Sequence, residues 1–235
     1  MDKREKIAFV KKQIAETWKC DAASFDSTKN IFIESGDTFF QIVTFGHNAV
    51  IRADKEIAEW CFENFNSTPA NLIMDSDNFY LINKKLRSFG KKLGEENIRY
   101  LHLFSENIVE KPLGFDYKLF NQNTVKELYD YREFDSALNF DRDVLAIAAY
   151  DGGKIAAVGG VDDYWGDLWQ IGIDTVLEYR NRGLGVYLVK ELALEIEKQG
   201  KVALYTTWSS NIASTRVALG AGFNPVWLEY LSDDL

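Results

Sequence analysis

The chain has 235 residues, 46% apolar, 27% charged and 14% aromatic, which excludes the disordered, collagen-like and fibrous classes and allows one or two domains with cores of their own. Two cysteines and two histidines exclude a disulfide scaffold and leave too few soft ligands for a zinc centre, so no metal is expected, and Cys20 and Cys61 are expected to be buried thiols. A net charge of −9 disfavours nucleic acid, and no run of 18 apolar residues marks a membrane span, so the expectation is a cytoplasmic protein that engages neither nucleic acid nor membrane.

Ile7, Val10, Ile14 and Trp18 recur at helical spacing and predict an amphipathic helix over 7–18. The short β-prone segments 31–34, 39–44 and 49–52, punctuated by Ser35-Gly36-Asp37 and Gly46-His47-Asn48, suggest a small antiparallel meander. Helices are predicted over 55–64 and 79–93, the second ending near Gly94, followed by a strand over 98–104. Residues 105–124 have weak periodicity, with Pro112 and Gly114, and read as a linker or a substrate-side loop. The division between two halves is placed there, at 124/125.

A helix is predicted over 125–133. Two apolar runs, 144–150 and 155–158, joined by Asp151-Gly152-Gly153-Lys154, predict a β-hairpin, because those turn residues tolerate positive φ. A strand over 168–175, a turn at 176–179, a helix opening at Arg180-Asn181-Arg182-Gly183-Leu184-Gly185 and running to about Lys198, a strand over 202–207 and a helix from Asn211 complete the pattern. The fold class expected is α/β (α+β), a mixed and mostly antiparallel central sheet flanked by helices. The acidic excess lies in residues 126–235, which carry 18 acidic against 10 basic side chains, while residues 1–125 carry 18 against 17. Solubility explains such a surplus, and it also favours a cationic ligand.

A strand that turns through glycines into a helix presents unpaired backbone N–H groups at the positive end of the helix, where phosphate oxygens can bind. Gly183 and Gly185 allow close approach, and Arg180 and Arg182 add positive charge. The turn is neither a Walker loop, which needs Gly-Lys-Ser/Thr where Gly185-Val186-Tyr187 stands, nor a dinucleotide fingerprint, which needs a small residue at Leu188.

The run Ile171-Gly-Ile-Asp-Thr-Val-Leu-Glu-Tyr-Arg-Asn-Arg-Gly-Leu-Gly185, then Trp208-Ser-Ser-Asn211-Ile-Ala-Ser214, then Gly222-Phe223, resembles the GCN5-related N-acetyltransferase (GNAT) superfamily over about residues 125–231. It is also similar to a bacterial branch of that superfamily with an extra N-terminal region, which residues 1–124 would supply on the acceptor side. The resemblance implies acetyl-CoA as co-substrate and direct transfer of its acetyl group to a primary amine, expected to be that of a small molecule. It implies a pantetheine arm lying along Ile173, Asp174 and Thr175, and a pyrophosphate on Arg180, Asn181, Arg182, Gly183, Leu184, Gly185 and Val186. Asn211 and Ser214 would contact the cofactor arm, although Asn211 also suits a helix N-cap.

The usual catalytic Glu and Tyr of the family fall on Thr206 and Ala218, a departure from the pattern. A base is therefore sought among Asp174, Asp163 and Asp162, with Glu178 behind them, and an acid in Tyr205 or Ser214. Tyr164, Trp165, Trp169 and Trp208 are expected to line an acceptor cleft between the two halves. His47 and His102 receive no role. The missing Glu and Tyr support a second reading, a catalytically inactive acyl-CoA-binding sensor, and a nucleotide-binding protein is the third.

Overall fold

The computed structural model describes residues 1–235 apart from the side chain of Tyr164. Contacts divide the chain into a first unit, Met1–Arg99 with Pro225–Leu235, and a second, Tyr100–Asn224. The sequence places the division at 124/125; by contacts it falls 25 residues earlier, because the stretch taken for a linker belongs to the second unit.

In the first unit, α1 (Lys3–Trp18) starts four residues before the expected position. A capping box extends it: the Asp2 side chain accepts from the Glu5 amide and Glu5 accepts from the Asp2 amide. Strands β1 (Ile31–Glu34), β2 (Phe40–Thr44) and β3 (Ala49–Ala53) follow. They are not a meander: β3 is antiparallel to β2 but parallel to β1. The Ser35-Gly36-Asp37 loop passes the end of β3 instead of reversing onto it, with the Ser35 amide bonded to the Ala53 carbonyl and Asp37 paired with Arg52.

Helices α2 (Lys55–Phe65), α3 (Ala70–Ile73) and α4 (Ser76–Arg87) then cover this sheet. Phe40, Ile42 and Ile51 of the strands pack with Ile57, Cys61, Ile82 and Leu86 of the helices in one buried cluster. The helix expected over 79–93 is displaced. Asp75 caps it earlier, by accepting from the Asn78 amide, and Gly90 at φ 71° releases the chain into β4 (Lys91–His102). Gly94 is thus a strand glycine, where a Cβ would lie 2.8 Å from the Leu231 carbonyl oxygen. Cys61 is buried, and burial pushes its thiol up to about 12; Cys20 is half-buried rather than buried.

The second unit opens with β5 (Asp116–Asn121), inside the stretch read as a loop, antiparallel to β6 (Asp143–Asp151). Only Phe120 of β5 is buried, so this edge strand has no alternation to betray it. The helix expected over 125–133 is two short 3-10 turns, 125–128 and 132–134, interrupted at Tyr131, whose ψ of 87° is not helical. Their Val125, Leu128 and Phe134 still bury against Ala146, Ala148 and Val158.

The hairpin of β6 with β7 (Lys154–Trp165) turns through Gly152 and Gly153, both at positive φ as the turn chemistry requires. β7 pairs antiparallel with β8 (Leu168–Thr175). Then come α5 (Leu184–Lys198), β9 (Val202–Thr207), α6 (Ile212–Gly220) and β10 (Phe223–Asp234). β10 crosses from the second unit into the first and pairs antiparallel with β2. The strand order is β1-β3-β2-β10-β4 in the first unit and β9-β8-β7-β6-β5 in the second, so the pattern is mixed and mostly antiparallel, as expected.

Candidate functional site

β8 and β9 run parallel and are paired from Leu168↔Val202 to Ile171↔Tyr205, where the ladder stops. Beyond it β8 continues to Thr175 and β9 to Thr207, so the two strands part. On its other side β8 stays bonded to β7 as far as Ala157↔Thr175. The backbone of residues 172–175 therefore keeps a free edge toward β9, a template to which an extended chain of amides can bond.

The turn after β8 places a second binding element beside this edge. Asn181 (φ 62°) and Gly183 (φ 82°) are both left-handed, an arrangement that turns successive N–H groups to one side. Gly183 is the N-cap of α5; no side chain caps the helix, and no acidic residue stands in its first turn. The first-turn amides and the positive end of the helix dipole are thus open to an anion. Arg180 is tied to the strand end, its Nε donating to the Thr175 carbonyl at 3.1 Å.

Strand end, turn, α5 and the start of α6 enclose a cleft of about 580 Å³. Of the residues expected at the cofactor, Ile173, Asp174, Thr175, Arg180, Asn181, Gly183, Leu184, Gly185, Val186, Asn211 and Ser214 line it. Arg182 does not: its guanidinium lies 5.2 Å from the centre of the Tyr179 ring. Asn211 caps α6, its Oδ1 accepting from the Ser214 amide at 3.1 Å.

Alternation along β8 sorts the site. Ile173 and Thr175 face α5, within 3.7 and 3.8 Å of where a Cβ on Gly185 would stand. Gly172 and Asp174 face the backbone of Ser136 and Ala137, and Ser136 lines the cleft. Asp174 Oδ2 accepts from the Ala137 amide at 2.8 Å. Burial raises the Asp174 carboxyl above its ordinary value, against the Ala137 and Ser136 amides and the Arg180 charge. Gly172 and its register partner Gly160 are the glycines this packing demands: a Cβ on Gly160 would sit 2.2 Å from the Ala137 oxygen, and one on Gly172 2.7 Å from that of Ser136.

Tyr205, buried and lining the cleft, has its hydroxyl 2.8 Å from Ser214 Oγ. Burial raises its pKa, so the phenol keeps its proton, and the Asp174 charge works in the same direction. The structure thus brings Asp174, Tyr205 and Ser214 to one cleft. Asp163 is not there: it is exposed, and its carbonyl accepts from Gly166 in the turn before β8, at the far end of that strand from Asp174. Asp162 and Glu178 do not line the cleft either.

Among the aromatic residues expected at the acceptor, Trp208 lines the cleft and is 47% exposed, whereas Trp169 is buried with its Nε1 bonded to the Gly166 carbonyl. Trp165 does not line it, and the Tyr164 side chain lies outside the described residues. Thr206, at the family's Glu position, donates to Gln170 Oε1, and Ala218, at its Tyr position, is fully buried.

Sequence reasoning missed two features. Arg216, one of the two basic residues on the cleft lining, sits mid-helix with only its spacing from Asn211 to signal it. His102, given no role, is buried at 0% exposure with Nδ1 2.7 Å from Glu197 Oε1 and Nε2 3.1 Å from Lys190 Nζ. Lys190 donates further to the Ser105 carbonyl at 2.9 Å, so this buried polar chain clips residues 104–105 to α5.

The site is thus a mostly antiparallel sheet with one parted parallel pair and an open helix N-terminus beside the parting. A model of the acetyltransferase (GNAT) family matches residues 88–223, over half of the sequence, and the chain belongs to that family. No curated protein matches it.

Solved structures similar to it include a GNAT-family acetyltransferase from Colwellia psychrerythraea (TM-score 0.47, 13% identity, covering 66% of this chain and 61% of that one). A GCN5-related N-acetyltransferase-like protein from Streptococcus suis has a TM-score of 0.49 at 15% identity, over 68% of this chain and 69% of its own. A tandem GNAT protein from the clavulanic acid biosynthesis pathway has a TM-score of 0.49 at 15% identity, over 72% and 60%. This chain thus spans about three fifths of the first and third.

Proposed function

We propose that the chain is an N-acetyltransferase that passes the acetyl group of acetyl-CoA directly to a primary amine of a small molecule in the cytoplasm. The observation that carries the reading is the parting of β8 from β9 beside the uncapped start of α5. The free edge at Ile173–Thr175 suits the two amides of pantetheine, and the amides of Leu184, Gly185 and Val186 suit a pyrophosphate, with Arg180 at their side. An N–H of the same edge, aimed at the thioester carbonyl, stabilises the charge that grows on its oxygen.

In this reading Asp174 takes a proton from the ammonium form of the acceptor, a task suited by the raised pKa of its carboxyl. The neutral amine attacks the thioester carbon, the carbon–sulfur bond breaks, and Tyr205 gives its proton to the departing thiolate, with Ser214 holding the phenol in place. The proton shed by the new amide nitrogen restores the phenol, while Asp174 releases its own to solvent. No step calls on a metal. Residues 1–124 are assigned to choice of the acceptor, and the acidic excess of residues 126–235 favours a cationic one. Membership of a bacterial branch with an extra N-terminal region belongs to the same proposal.

A second reading, an acyl-CoA sensor without turnover, is favoured by the buried Ala218 and the bonded Thr206 at the family's usual catalytic positions. Two measurements decide. Acetyl-CoA should bind the wild type in calorimetry, and Gly183→Val, a β-branched residue at φ 82°, should abolish binding while circular dichroism shows a folded chain. Retained affinity would remove the cradle. Thiol release with a panel of amines then separates the readings, since tight binding with no release from any amine leaves only the sensor.

A further inference from the structure

Two cations line the cleft, Arg180 and Arg216, and they stand on different elements. Arg180 is bonded to the carbonyl at the end of β8, beside the first-turn amides of α5. Arg216 lies on α6, exposed, and among the described residues no carboxylate pairs with it. Its place along α6 is set by its neighbours. Ser214 reaches Tyr205 where the strands part, and Val217 lies 3.4 Å from where a Cβ on Gly185 would be. Gly220 packs against Val186.

α6 therefore crosses α5 at its first turn, with Val217 turned inward. Arg216 stands at the same level as the amide cradle but on the exposed stripe it shares with Ala213, one turn earlier. The inward amides and Arg180 account for one diphosphate. A guanidinium on the solvent side of that diphosphate, inside the cleft and without a carboxylate to neutralise it, has the charge and the planar fork to take a second, monoester phosphate.

We propose that Arg216 holds the 3′-phosphate of the coenzyme, so that the site distinguishes coenzyme A from its dephospho form. This rests on the acetyl-CoA reading above and adds a specificity-determining residue to it. One exposed guanidinium–phosphate contact corresponds to about tenfold in affinity.

The test is a calorimetric comparison of coenzyme A with dephospho-coenzyme A on the wild type, Arg216→Ala and Arg216→Lys. Alanine at this exposed helix position leaves the fold intact, which thermal melting checks. The wild type should prefer coenzyme A about tenfold. Arg216→Ala should lose that preference by weakening coenzyme A binding alone, and Arg216→Lys should keep part of it. Equal weakening of both ligands would overturn the assignment, as would no change in either. A wild type that binds coenzyme A but ignores the 3′-phosphate would overturn this proposal alone; one that binds neither ligand would overturn the cofactor reading with it.

Discussion

Asp143, the first residue of β6, is 4% exposed; its Oδ2 accepts from the Asn139 amide at 2.8 Å, while its Oδ1 is buried with no partner among the described residues. Across the sheet its register partner is Asp162, another acid. Burial pushes the Asp143 carboxyl up to about 7; the Asn139 amide, the Tyr129 hydroxyl and the Arg142 charge pull the other way without offsetting it, and Asp162 adds to the rise. A carboxyl that titrates at about 7 when folded and 3.8 when unfolded contributes stability that is complete below 3.8 and is lost as pH rises through 7.

The full effect is about 4 kcal/mol, of which roughly 2–3 kcal/mol falls between about pH 5 and pH 8. Asp143→Asn keeps the shape and an oxygen for the Asn139 amide but cannot ionise, so its stability should lack this decline. Urea unfolding of both proteins, followed by circular dichroism at four pH values across that range, measures the difference of slopes. Parallel curves, with the two proteins losing the same stability, would refute the claim that a charge is held here without adequate partners. The result bears on the site, because Asn139 continues the segment whose Ser136 lines the cleft.

Two further substitutions probe the same wall and its chemistry. Gly160→Ala drives a methyl to 2.2 Å from the Ala137 oxygen, so it should destabilise the second unit by about 2 kcal/mol or more, read from unfolding midpoints, and weaken acetyl-CoA binding by displacing Ser136. A wild-type midpoint would show that the segment is not seated as described. Tyr205→Phe removes the bond to Ser214 and should cost about 1 kcal/mol of stability but ten- to a hundredfold in thiol release, with binding of acetyl-CoA preserved. An unchanged rate would exclude Tyr205 as the acid.

Much of the second unit is legible in the sequence because its signals are local. The Asp-Gly-Gly hairpin, the glycine turn into α5 and the Asn211 cap each depend on a few adjacent residues whose φ or side-chain oxygen decides the conformation. The capping box of α1, in Asp2 and Glu5, and the Asp75 cap of α4 are local signals of the same kind, but the apolar periodicity used to place these helices begins four and three residues later. By contrast β5 has one buried residue in six and β1 runs parallel to β3, and nothing in either segment records its partner.

The site divides along the same line. The open helix start proposed to cradle phosphate is written into residues 180–185, since positive φ at Gly183 and an uncapped helix start are properties of the turn itself. Which of Asp174 and Asp163 lines the cleft is not, because both are strand acids and only the pairing of β8 with β7 and β9 puts one at the parting and the other at the far turn. Gly160, Gly172 and Arg216 acquire their meaning in the same way, from a backbone or a helix brought against them from distant parts of the chain. Local backbone chemistry was decided by the sequence alone, and which side chains share a cleft was decided by tertiary packing, because register and crossing depend on contacts between residues far apart in the chain.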